Sequence, residues 1–147
     1  MPNWCMNSLI ITGPQEDVLK FKKIASINTD PINDKKYLDF NSFIPIPKEK
    51  QKECWYEWEL ENWGTKWGAC NVDYVMYDKN RIGYNFDSAW SPPIMFIKNV
   101  SKLFPKLLFE MDYEEGGMCF KGTATFQNGV GGCVDEEWNN EEEDETD

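Results

Sequence analysis

The stretch Leu107-Leu108-Phe109-Glu110-Met111-Asp112-Tyr113-Glu114-Glu115-Gly116-Gly117-Met118-Cys119-Phe120-Lys121-Gly122-Thr123-Ala124-Thr125-Phe126 decides what fold this chain can take. Leu107, Phe109, Met111 and Tyr113 alternate with Leu108, Glu110 and Asp112, the period of a strand with one buried face. Glu115-Gly116-Gly117 turns the chain, after which Met118, Phe120, Ala124 and Phe126 face opposite to Lys121, Thr123 and Thr125. A half-buried hairpin is expected. A second hairpin is expected over residues 72–77 and 81–86, where Ile82, Tyr84 and Phe86 alternate with Arg81, Gly83 and Asn85 beyond Asp78-Lys79-Asn80. Hairpin neighbours are antiparallel, which argues against a parallel α/β sheet.

Working outward, residues 3–12 end in Leu9-Ile10-Ile11 and predict a strand, broken by Gly13-Pro14. Pro14 fits the first turn of a helix, with Gln15, Glu16 and Asp17 at its positive end and Val18, Phe21, Ile24 and Ala25 as its apolar stripe. Residues 37–44 predict a strand closed by Pro45 and Pro47, and residues 48–67 an inserted, tryptophan-rich segment with some helix. Ser91 is a candidate cap for a helix that starts at Pro92 or Pro93 and carries Phe96, Val100, Leu103 and Phe104 on one face. Gly129, Gly131 and Gly132 read as an exit into a tail. The economical packing is an α+β ferredoxin-like sandwich over residues 1–134, an antiparallel-rich sheet with two helices on one face.

The charge is unevenly placed. The 147-residue chain carries a formal −11, but nine acids and no base lie within residues 135–147, so residues 1–134 sum to only −2. Blocks of like charge are usually disordered and solvated, and Glu141, Glu142, Glu143, Asp144 and Glu145 are candidates to dock into a basic groove of a partner. A near-neutral body without a basic stripe argues against direct nucleic-acid binding. The absence of histidine removes imidazole bases and His-ligated metals. The five cysteines form no C-x-x-C pair, and no apolar run reaches membrane-span length. Reduced thiols, no cofactor, no metal and a cytoplasmic location are expected.

Two further blocks lack core periodicity, Asn62-Trp63-Gly64-Thr65-Lys66-Trp67 and Ser88-Ala89-Trp90-Ser91-Pro92-Pro93. With Pro2-Asn3-Trp4-Cys5-x-Asn7 and the Tyr113-Glu114-x-Gly116 turn before Phe120-x-Gly122, they resemble the YubB ferredoxin-like family of phage, plasmid and other mobile-element proteins. The resemblance implies the fold across residues 2–126. It carries no catalytic residue, and the acidic tail lies outside it.

Two readings of the blocks stand open. Trp63, Trp67 and Trp90 with Asn62, Thr65, Lys66 and Ser91 form a kit for a nucleotide-like ligand, with indole faces to stack and one positive charge. Alternatively they anchor loops, with the indole N–H on a carbonyl and Asn62 and Ser91 capping turns. Glu53, Glu57, Glu59 and Glu61 read as a solvated helix face, and Glu110, Asp112, Glu114 and Glu115 as the wet side of a hairpin. The expected function is a non-catalytic binding protein of a mobile element that inhibits or sequesters a host protein or complex, with counter-defence as its narrowest form. The alternative is a nucleotide-like small-molecule binder. An enzyme working through Lys66 or a carboxylate ranks third.

Overall fold

Strand alternation and glycine punctuation give one six-stranded sheet in the computed structural model, which describes residues 4–26, 38–48, 55–65, 68–115 and 120–137. The elements are β1 (Trp4–Thr12), α1 (Gln15–Ala25), α2 (Phe40–Phe43), α3 (Trp55–Asn62), β2 (Cys70–Asp78), β3 (Arg81–Ala89), α4 (Ile94–Leu103), β4 (Leu108–Glu115), β5 (Phe120–Gln127) and β6 (Val130–Glu137). Strand order is β2-β3-β1-β4-β5-β6, with every neighbouring pair antiparallel. The first four of these strands, with α1 and α4 as crossovers, make the ferredoxin-like arrangement; β5 and β6 widen it on the β4 side.

Period-2 burial decides which face is covered. On β1, Cys5, Asn7, Leu9 and Ile11 are buried, while Trp4 and Met6 are exposed. Tyr84 and Phe86 on β3 and Phe109, Met111 and Tyr113 on β4 join the buried set. The helices meet them with Val18, Phe21, Phe96, Ile97 and Val100. Phe21 stacks on Phe43 at 4.6 Å and meets Phe104 and Phe109 at 5.4 and 5.6 Å. Each such side chain, fully withdrawn from water, contributes about 1.5–3 kcal/mol.

Two expected elements come out differently. Residues 38–44 hold the short helix α2 rather than a strand. Asp39 accepts hydrogen bonds from the Asn41 N–H (3.2 Å) and the Ser42 hydroxyl (3.0 Å), which caps a helix start, and Phe40 and Phe43 then share one buried face three residues apart. Where a loosening exit is expected, residues 130–137 form β6. Asn128 (φ 52°) and Gly129 (φ 76°) close a two-residue turn between the paired Gln127 and Val130, a left-handed pair matched to the twist of the flanking strands. The strand continues to Glu137, so the first three residues of the expected tail belong to it.

Candidate functional site

The two tryptophan blocks meet. Helix α3 ends where the Trp63 and Gly64 N–H groups both donate to the Glu59 carbonyl (2.8 and 3.1 Å), with Gly64 at φ 81°. This turns Trp63 inward. It is buried edge-on to Phe40 (5.7 Å) and Trp58 (5.6 Å), and its indole N–H donates to the Ile44 carbonyl at 3.0 Å. Thr65 is fully buried and donates to the Ala89 carbonyl at 2.8 Å. Ser91 donates to the Gly64 carbonyl at 2.6 Å instead of capping α4, whose N-terminus at Pro93 has no side-chain cap. Asn62 donates to the Trp58 carbonyl at 3.0 Å, and its own carbonyl accepts from Asn99 at 2.9 Å.

A chain of hydrogen bonds extends this latch into the sheet. Buried Asn7 donates to the Ser88 hydroxyl (2.9 Å), which donates to the Ser91 carbonyl (2.7 Å). Trp63, Thr65, Asn62 and Ser91 thus direct donors to backbone carbonyls, the geometry of loop anchors. Thr65→Val keeps the shape and removes the donor, so it is expected to cost about 1–2 kcal/mol, a fall in Tm of roughly 3–8 °C by thermal melt.

Trp90 is the exception. It is about half exposed and sits at φ 70°, a left-handed conformation that costs a bulky L-residue about 1–3 kcal/mol. The carbonyl of the preceding Ala89 accepts from both Thr65 Oγ1 and the Ser91 N–H (2.8 Å each), which fixes the backbone on either side of Trp90. The latch holds an indole outward. Lys66 and Trp67, and the acidic residues Glu141, Glu142, Glu143, Asp144 and Glu145, lie outside the described residues.

The second feature is the sheet face away from the helices. Antiparallel register places Asp87 (β3), Met6 (β1), Glu114 (β4) and Lys121 (β5) in one row, and Asp73, Asn85, Ser8, Asp112 and Thr123 in the next. Beyond them lie Val75, Gly83, Ile10, Glu110 and Thr125. A shallow depression of about 740 Å³ lies over the first two rows. Asn71 donates to Asp87 Oδ2 (3.0 Å) and Thr123 to Asp112 Oδ1 (2.9 Å), which orients two of the carboxylates. Trp4 pairs with Ala89 at the end of this face, so the exposed Trp4, Met6 and Trp90 lie around one end of it. Reading the sequence marked Glu110, Asp112 and Glu114 only as a wet strand face; the pairing of β1 with β3 and β4 is what gathers them with Asp73 and Asp87.

Chemistry of a reactive kind is not offered by the buried thiol. Burial pushes Cys5 up to about 12, partly offset by its hydrogen bond with Ser88, so it stays protonated. The sign is that of a neutral form favoured by folding: stability from this group is complete below pH 9 and falls as pH rises towards 12. Among the described residues, no group of three or more His, Cys, Asp or Glu side chains is placed to hold a metal ion, and no helix is long and apolar enough to cross a membrane.

The class is therefore a ferredoxin-like α+β domain whose second sheet face is carboxylate-rich and carries no helix among the described residues. A family model described as the ferredoxin-like domain in Api92-like protein matches residues 62–147, more than half of the chain, and the chain belongs to that family. The fold is similar to the crystal structure of protein api92 from Yersinia pseudotuberculosis, with a TM-score of 0.58 at 11% identity over 95% of this chain and 99% of that one. Comparison with curated proteins gave no match.

Proposed function

We propose that this chain is a non-catalytic binding protein that engages a partner protein through Trp90 and the open sheet face. The observation that carries this reading is Trp90 itself, a large apolar side chain about half exposed at positive φ, next to a sheet face that no helix covers among the described residues. Strained backbone persists where surrounding contacts over-determine it, and such sites concentrate at binding surfaces. Large aromatic side chains also dominate protein-binding energetics. Carboxylates spread over the face disfavour phosphate, which supports a protein rather than a nucleic acid or an anionic membrane as partner. The narrower form, a mobile-element protein that blocks a host complex in the bacterial cytoplasm, rests on the YubB resemblance and on the separate anionic residues 141–145.

A nucleotide-like ligand ranks second. Trp63 and Thr65 are buried, which leaves Trp90 as the exposed stacking surface among the described members of that kit.

The test is capture from host lysate with the full chain and with Trp90→Ala. A discrete partner whose recovery falls roughly tenfold in the variant, at unchanged Tm, supports the reading, since removing one aromatic anchor costs that much or more. Equal recovery by both proteins, or no partner for either, overturns it.

A further inference from the structure

We infer that the open face of the sheet is a docking surface for a lysine- or arginine-rich segment of the partner protein, with the basic side chains over the carboxylates and an apolar flank against Trp90. The inference rests on the binding-protein reading above and adds the chemistry of the occupant. The near-neutral body conceals a locally anionic sheet face. Asp73, Asp87, Glu110, Asp112 and Glu114 occupy the open face against Arg81 and Lys121. The helix side is mixed, with Lys20, Lys22 and Lys23 on α1 and Lys98 and Lys102 on α4 beside Glu16, Asp17, Asp39, Glu57 and Glu61. On the open face carboxylates thus outnumber cations, and no helix among the described residues packs over them.

Spacing fits the same occupant. Alternate residues along β4 lie about 7 Å apart, so Glu110, Asp112 and Glu114 repeat at the interval at which an extended segment presents every second side chain. At one end, Met6 is paired with both Asp87 and Glu114, and the exposed Trp4 lies two residues away along β1, paired with Ala89 next to Trp90, so an apolar flank adjoins the carboxylates. The depression of about 740 Å³ is lined by Asp73, Asp87, Asp112 and Glu114, so its carboxylates converge on one concave strip. Like charge excludes two other occupants, the chain's own residues 141–145 and the same face of a second copy.

The test uses the full chain and a fluorescein-labelled twelve-residue peptide of alternating lysine and leucine, followed by anisotropy near 0.1 M salt. A matched peptide with glutamate for lysine is the control. The wild type is expected to bind the lysine peptide and not the glutamate peptide. Asp87→Asn/Asp112→Asn/Glu114→Gln, a near-isosteric triple change at one exposed and two half-buried positions, checked by Tm, is expected to weaken binding roughly tenfold. A full chain with residues 141–145 changed to the corresponding amides is expected to stay within about threefold of wild type. Wild-type affinity in the triple variant, or a loss confined to the amide tail, overturns the inference. So does equal binding of the glutamate peptide, or reversible self-association in sedimentation velocity that the triple change abolishes, since the occupant is then the lysine-bearing side of a second copy. Trp90-dependent capture from lysate that the triple change leaves intact sinks this inference alone. Loss of Trp90 dependence sinks the binding-protein reading as well.

Discussion

Replacing Phe40 by alanine is expected to lower the unfolding free energy by about 3–5 kcal/mol, among the largest single-residue losses this fold can show. Phe40 has no exposed surface. It stacks on Phe96 with ring centroids 3.9 Å apart and meets Trp63 and Phe86 edge-on at 5.7 and 6.0 Å. It therefore joins four pieces of chain: α2, α4, the end of α3 and the interior strand β3. The rings around it are held from several sides, so the space left by alanine cannot collapse, and the residual cavity adds to the lost transfer term. Urea unfolding should show a lower midpoint at an unchanged slope. Phe40→Leu should recover more than half of the loss. A cost below about 1 kcal/mol for the alanine change would mean that α2 is peripheral to the core.

Gly131→Ala should be the second large loss, roughly 2–4 kcal/mol, from overpacking and a backbone conformation that L-residues rarely adopt. Gly131 lies at φ 153°, and a Cβ built there overlaps the Thr125 carbonyl oxygen, a backbone atom with no rotamer to yield. The neighbouring Gly132 supplies the control, because a Cβ there meets nothing within 4 Å. Gly132→Ala should change stability by less than about 1 kcal/mol. Similar midpoints for the two variants would show that β6 does not pair with β5 in this register.

Much of the architecture is legible in the chain because burial on one sheet face writes a period of two. Ile82, Tyr84 and Phe86 on β3, and Phe109, Met111 and Tyr113 on β4, are all in the core, and both hairpins form where that alternation predicts them. The α1 stripe Val18, Phe21 and Ala25 is likewise buried. Two local signals were outweighed. Leu38 and Phe40 mimic a strand's alternation, while the deciding information is the Asp39 carboxylate, which satisfies helix-start donors. The glycines after Gln127 resemble a linker, yet Asn128-Gly129 is a hairpin turn in its own right.

The candidate site was legible only in fragments. The two tryptophan blocks stand out because they break periodicity, but sequence does not separate an anchor from a presented side chain. That distinction lies in the Gly64 turn, which sends Trp63 inward, and in the positive φ of Trp90, which sends it outward. The acidic face was less legible still. Its members come from three strands as far apart as Asp73 and Glu114, and only pairing register brings them side by side.

The margins of the sheet have a further consequence. β6 is outermost on one side and runs into Asp135-Glu136-Glu137, so parallel, in-register stacking of identical copies along it would set anion upon anion. On the opposite margin, β2 is broken by register shifts after Cys70 and after Met76, with Asn71 in a left-handed kink. A bent rim and a charged rim are two ways of refusing a newcomer strand, so this widened sheet is defended against fibril growth at both of its ends.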